Sequence, residues 1–351
     1  MYCDDCGLPR GVGKANEWKR NGTIVSRYEA GIRGMFIDAG ELGYLISSLS
    51  GRMGYDVSRL VMEGKRKDSA NYARGLIERI RESGSPVPEV GDLLRMMAAN
   101  YAVPGFGKVT IRELLPDGSV VLDMEGLYNL SMALGQAAGV YEAVKGIRGD
   151  VDHEGDERMC RAIIQPREGD PELEKRIESE VEQEPVLSGE GGAAYDACPR
   201  CSAPRELSRC LEWRVEDSLI SERRSGRRFV FDDTRGLTAV MKVLVDELGE
   251  DVERMLAEIA REYAREYYAS LRDGITFQEE SIHMALFGWG LPVGMEESGD
   301  GFSLRLINPF YGPLMAGRVW GMVEVLEGKD LELGDYDWQE TAVAEMSLTA
   351  A

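Results

Sequence analysis

Apolar positions along the chain change period several times, and each change marks an element. After Met35-Phe36-Ile37, Asp38 is followed three residues later by Glu41, and Leu42, Leu45 and Leu49 then recur at helical spacing. That capping-box-like start predicts a helix of about fourteen residues. Gly54 ends it, Asp56 can cap the next, and Val57, Leu60, Val61, Gly64, Ala73 and Leu76 predict a second, long helix. A third is expected over 90–99, with Leu93, Leu94, Met96 and Met97 as its apolar face. The period then drops to two. Lys108 to Leu115 and Ser119 to Met124, joined by Pro116-Asp117-Gly118, predict a β-hairpin whose turn residues accept positive φ. A helix over 128–145 and a short strand over 161–164 complete the unit.

The same succession then begins again. A shift of 195 carries 3–76 onto 198–271 without a gap: Cys3 and Cys6 fall on Cys198 and Cys201, Trp18 on Trp213, Arg33 on Arg228, Phe36 on Phe231, Asp38 on Asp233 and Tyr72 on Tyr267. Thr23-Ile-Val-Ser and Ser218-Leu-Ile-Ser become equivalent short extended stretches. With about twenty identities in the window, the chain reads as a tandem duplication. A second shift, of 182, carries Gly135-x-x-x-Gly139 onto Gly317-x-x-x-Gly321 and Glu142 onto Glu324, with a last helix over 310–327 and a final strand over 342–346. The expected organisation is a first domain over 1–165, an acidic linker over 166–196 with a short solvated helix in Glu172 to Glu182, and a second domain over 197–351. Helices and hairpins out of strict βαβ alternation predict an α+β fold, two copies of an antiparallel sheet packed with helices.

Charge narrows the partners. The chain has 351 residues, 62 acidic against 41 basic, for a net charge of -21. Such a balance repels phosphate backbones and argues against nucleic acid. No apolar run reaches the eighteen or so residues of a membrane span, and the opening Met1-Tyr2-Cys3-Asp4-Asp5-Cys6 does not resemble a signal peptide, so a cytoplasmic protein off the membrane is expected.

Four of the six cysteines fall in Cys-x-x-Cys pairs, which in a reducing compartment suggests metal or redox chemistry. One knuckle supplies two thiolates, half of a tetrahedral zinc site. The simplest expectation is one structural Zn2+ held by Cys3, Cys6, Cys198 and Cys201, stapling the copies across a pseudo-twofold axis. Alternatives are one site per copy, completed in the second by Cys210, and free or redox-active thiols. The Gly-x-x-x-Gly pairs read as backbone packing more than as room for a flat ligand. Trp18 and Trp213 are expected to pack over the zinc-bearing loops, Tyr72 and Tyr267 to be core or ligand-facing, and Glu63 and Glu258 to be solvated or helix-pairing, with a buried acid as the alternative. His153 and His283 lack a paired nucleophile, and no phosphate loop, dinucleotide fingerprint or nucleophile elbow is present, so no catalytic residue is named.

The strand ending Val120-Val-Leu-Asp-Met-Glu or Ser303-Leu-Arg-Leu-Ile-Asn-Pro-Phe, the following helix with Gly135-x-x-x-Gly139 or Gly317-x-x-x-Gly321, the residues Glu142 to Gly146 or Glu324 to Gly328, and the long helix with Arg59-Leu-Val-Met-Glu63-Gly64 resemble the 4-vinyl reductase domain family of small-molecule-binding domains. The resemblance covers most of each copy. It implies a sensor-like α/β fold whose ligand cavity is enclosed by helices and sheet, with Phe36, Phe231, Phe310 and Trp320 as candidate wall residues. Some family members hold zinc near the terminal strand through several cysteines. Here only Cys160, near His153 and Glu154, remains in the first copy and none in the second. The expected function is binding of a small hydrophobic or tetrapyrrole-like ligand by a zinc-stabilised sensor or adaptor, not a conventional enzyme, that passes occupancy to a protein partner. The alternatives are an accessory protein or enzyme of tetrapyrrole or aromatic metabolism, and a purely structural zinc-stapled interaction module.

Overall fold

The computed structural model describes residues 2–29, 31–86, 88–168, 187–249, 251–271, 274–299, 301–336 and 342–351. The helix expected over 172–182 lies outside the described residues. The first half runs α1 (Arg10–Ala15), β1 (Asn16–Trp18), β2 (Ile24–Ser26), β3 (Arg33–Asp38), α2 (Ala39–Met53), α3 (Ser58–Glu82), α4 (Val90–Ala99), β4 (Lys108–Leu114), β5 (Val120–Glu125), α5 (Leu130–Lys145), β6 (Arg148–Gly155) and β7 (Met159–Arg167). The second repeats that order: α6 (Arg205–Cys210), β8 (Leu211–Arg214), β9 (Leu219–Glu222), β10 (Arg228–Asp233), α7 (Thr234–Leu248), α8 (Asp251–Ser270), α9 (Phe277–Leu286), β11 (Leu291–Ser298), β12 (Gly301–Ile307), α10 (Gly312–Glu327), β13 (Leu331–Tyr336) and β14 (Val343–Ala350). The fold is α+β with antiparallel sheets, as the hydrophobic pattern predicts.

Each half closes its own four-stranded sheet, β4-β5-β7-β6 and β11-β12-β14-β13. Alternation orients these strands: Val120, Leu122 and Met124 of β5, and Phe302, Leu304 and Leu306 of β12, are buried. Over these sheets lie α5 and α10, and the glycine pairs press each against the long helix of its own half. A Cβ at Gly135 would meet the Met62 carbonyl at 2.2 Å and one at Gly139 the Arg66 carbonyl at 2.1 Å; at Gly317 and Gly321 the Ala257 and Arg261 carbonyls lie 2.1 and 2.5 Å away. Backbone packing is therefore what these glycines do.

The third sheet joins the halves. Its order is β1-β2-β3-β10-β9-β8, and β3 pairs antiparallel with β10 so that Phe36 faces Phe231, its own equivalent under the 195-residue shift. A local twofold thus passes between the two phenylalanines, whose rings lie 4.8 Å apart. Every residue of β3 is buried, as suits a central strand.

Equivalent bonds cross this axis in both directions. Trp18 donates its indole N–H to Leu286 O at 3.0 Å and Trp213 to Val103 O at 2.7 Å; the Phe36 amide donates to Phe287 O and the Phe231 amide to Pro104 O, both at 2.9 Å. Arg33, buried, donates to Asn308 O at 3.0 Å, while Arg228 reaches Gly105 O at 2.7 Å and Leu127 O at 2.9 Å. Each tryptophan thus anchors the opposite half, and both belong to the same core cluster as Cys3, Cys198 and Cys201.

Helices interlock as well. α2 packs on α8 and α7 on α3, so the short helix of each half lies on the long helix of the other. A Cβ at Gly64 would meet Val240 Cα at 2.8 Å. The halves are not two beads on a string. Past the predicted boundary at 165, β7 continues to Arg167, and residues 188–193 are strapped down: Asn21 Nδ2 donates to Ser188 O at 2.7 Å and the Ala193 amide to Arg20 O at 3.0 Å. One register differs from the ungapped shift. Trp18 pairs with Ile24 but Trp213 with Ile220, so between 213 and 220 the equivalence slips by one residue. No helix among the described residues is long and apolar enough to cross a membrane.

Candidate metal centre and cavity

Each Cys-x-x-Cys forms a tight knuckle. The Cys3 amide donates to Leu8 O and the Gly7 amide to Cys3 O, both at 2.8 Å; the Cys198 amide donates to Ala203 O at 2.9 Å and the Ser202 amide to Cys198 O at 2.8 Å. The residue after the second cysteine turns through positive φ, 76° at Gly7 and 68° at Ser202, which folds the backbone around the thiols. Helices α1 and α6 follow at once, and α1 comes so close to the other knuckle that a Cβ at Gly13 would meet Cys201 O at 2.5 Å.

The knuckles meet face to face. Cys3 Sγ lies 3.8 Å from Cys198 Sγ and Cys6 Sγ 3.4 Å from Cys201 Sγ, with all four sulfurs within 4.8 Å of one another. Tetrahedral zinc with Zn–S bonds of about 2.3 Å requires S···S edges of about 3.8 Å, whereas a disulfide requires about 2.05 Å. All four are free cysteines, and the donor set fits a single tetrahedral metal ion. This is the shared arrangement expected from the sequence. Cys210 is not among its members. Backbone N–H groups of Cys6 and Asp5 bring the Cys3 thiol down to about 7, while burial pushes Cys6 and Cys201 up. A thiolate-binding cation would reverse that burial cost, because four clustered sulfur charges need compensation.

Among the described residues Cys160 joins no second cluster of this kind. It faces the core from β7, while His153 and Glu154 are exposed on the neighbouring β6.

A cavity of about 430 Å³ opens beside the joint between the halves. Its walls come from α3 (Lys65, Asp68, Tyr72), α4 (Met97) and the turn after it (Tyr101), α5 (Gln136, Val140) and the central sheet (Gly34, Phe231, Asp232). Lys65 is buried at the wall, its Nζ 2.8 Å from Asp232 and 3.2 Å from Asp68. Burial disfavours its ammonium, yet Asp232 and Asp68 outweigh this and hold it charged. Burial raises the Asp68 carboxyl to about 6, with Lys65 opposing and Asp233 and Asp232 adding to the rise.

Of the four wall residues expected from the family resemblance, Phe231 lines this cavity. Phe36 lies behind it, packed on Trp213, Phe231 and Phe287; Phe310 stacks edge-on to Trp289 in the core; and Trp320 donates its N–H to Leu331 O at 2.9 Å beneath Arg261. Tyr72 reaches the cavity, and Tyr267 instead bonds Glu222 at 2.9 Å.

Lys65, Asp68 and Asp232 escaped the sequence reading because Lys65-Arg66-Lys67-Asp68 looks like a solvated charge run. The helical period held the signal: 61, 65, 68 and 72 share one face with the apolar stripe. Glu63 likewise is buried, 2.7 Å from Arg66 Nε, whereas its equivalent Glu258 is part-exposed and pairs with Arg52.

Fold and centre together define a class: an α+β protein of two interlocked lobes joined by one four-cysteine cluster. Compared with known proteins, the chain matches no protein-family model and no curated protein.

Proposed function

We propose that this chain is a zinc-clasped binder of a small, largely apolar molecule, a pair of 4-vinyl reductase-like domains fused by duplication, acting as a sensor or adaptor rather than as a conventional enzyme. The observation that carries this is the cavity of about 430 Å³, within the range of roughly 300–1,000 Å³ typical of small-molecule sites, with aromatic and aliphatic side chains in its walls beside the charged Glu29, Lys65, Asp68, Arg79, Asp232 and Asp233. It lies against β10 and α3, which also carry the joint between the halves, so occupancy acts on their packing and thence on a protein partner. The cysteine cluster supports a structural role for the metal: all four positions are ligands, leaving none for substrate.

Native mass spectrometry of the full chain purified from its own cells tests both parts. One zinc per chain and a small organic molecule released on denaturation are expected. Two metals or none overturns the shared clasp, and protein that carries no small molecule overturns the binding role.

A further inference from the structure

The twofold that relates the halves gives the cavity a counterpart, and the counterpart is full. By the shifts of 195 and 182 Phe229 stands for Gly34, Arg227 for Ile32, Tyr263 for Asp68 and Arg318 for Gln136, and by the matching bonds of Phe36 to Phe287 O and Phe231 to Pro104 O, a shift of 183, Phe287 stands for Pro104 and His283 for Asn100. Each is the larger residue. The void left is about 20 Å³, room for a single water.

What fills it has a definite chemistry. Arg318 lies over the Trp289 ring at 3.5 Å and pairs with Glu41; Arg227 lies over Tyr263 and Tyr267 at 4.6 and 4.5 Å and approaches Asp38 at 3.3 Å. Two guanidinium groups, each on an aromatic face, thus answer two buried acids.

In the first half both arginines are replaced by uncharged residues and the acids multiply. Glu29, Asp68, Asp232 and Asp233 face Lys65, Arg79 and Arg235: Arg79 and Arg235 reach Glu29 at 3.0 and 3.6 Å, and Arg235 also holds Asp233 at 3.1 Å. Among the described residues at this site, four carboxylates meet three cations. The Gln136 Oε1 is buried without a hydrogen-bond partner among the described residues, a further acceptor lacking a donor. Burying an uncompensated carboxylate is costly, and a cation between it and an aromatic face removes that cost.

We propose that the first-half cavity takes one flat, apolar molecule bearing a cationic nitrogen head, an ammonium or amidinium group, and that the second half, occupied by its own arginines, takes none. This rests on the small-molecule reading above and names its ligand class. The raised Asp68 carboxyl accords with it. The head sits near Asp68 and Asp232, and the body lies between Tyr72, Tyr101 and Phe231.

Calorimetric titration of the zinc-loaded full chain with 2-naphthylmethylamine, 2-naphthylmethanol and 2-naphthoate tests this. The amine is expected to bind once per chain and about tenfold or more tighter than the carboxylate. Asp232→Asn should weaken it by about tenfold, and Gln136→Arg, which copies Arg318, should abolish it. Zinc content and circular dichroism check each variant's fold; if Gln136→Arg does not fold, Val140→Met, which copies Met322 in the same wall, is read for weakened binding. Naphthoate binding as tightly as the amine, two amines per chain, or no binding by any of the three overturns the proposal. A native ligand without a cationic nitrogen overturns the ligand class alone, whereas no native ligand overturns the parent reading.

Discussion

At Glu222 the second half keeps a carboxylate out of water among many partners: Arg224 at 2.9 Å, the Tyr267 hydroxyl at 2.9 Å, His283 at 3.2 Å and the Ser225 hydroxyl. Burial alone would raise it, but His283, Arg224 and Ser225 together pull it down to about 2 from 4.5. A carboxylate whose pKa is lower folded than unfolded stabilises above the unfolded value and loses that contribution as pH falls through the folded one. About 3 kcal/mol is therefore expected to disappear between roughly pH 4.5 and pH 2. Urea midpoints measured across that range should fall steeply in the natural protein and more gently in Glu222→Gln, which starts from a lower midpoint at pH 7. At the cysteine cluster the expectation is stoichiometric: Cys6→Ser or Cys201→Ser reduces bound zinc from one per chain toward zero by elemental analysis and lowers the melting temperature. Full zinc retained by either variant would place the metal elsewhere.

Elements differ in how much room they leave their glycines, and two substitutions of the same kind should act with opposite sign. Gly139→Ala drives a methyl against the Arg66 carbonyl, so α5 must lift from α3 at a cost of roughly 1–3 kcal/mol. Gly43→Ala on α2 meets nothing within 4 Å and should gain up to about 1 kcal/mol from helix propensity. Chemical denaturation of the pair checks both. The same elements show what the sequence could reveal. Helices α2, α3 and α4 and the β4–β5 hairpin were legible because their apolar residues keep a period over several turns or pleats. Strands β6 and β13 were not: β6 reads Arg-Gly-Asp-Val-Asp-His-Glu-Gly, and as an edge strand it keeps mostly exposed side chains, so no alternation marks it. The cysteine centre was legible through paired spacing and the internal shift. The cavity was not, because its defining feature is absence of volume at Gly34, Ile32 and Gln136, and although the shifts set Phe229, Arg227 and Arg318 against them, only the fold shows that these separate positions face one space.

For the whole molecule the decisive fact is that half of the central sheet, two helix contacts and two of four sulfurs reach each half from the other. Segments 1–165 and 197–351 made separately are therefore expected to be insoluble or loosely folded, and to recover zinc binding and a cooperative melt when co-expressed. Two independently folding segments, each with a sharp thermal transition of its own, would contradict this. The β3–β10 pairing also sets a schedule for synthesis. While the ribosome is still making the second half, the nascent chain presents β3 with an open hydrogen-bonding edge and a lone pair of thiols. Crowded on one messenger, two such chains can complete each other instead of themselves, yielding an exchanged dimer with the same sulfur clusters and the same sheets.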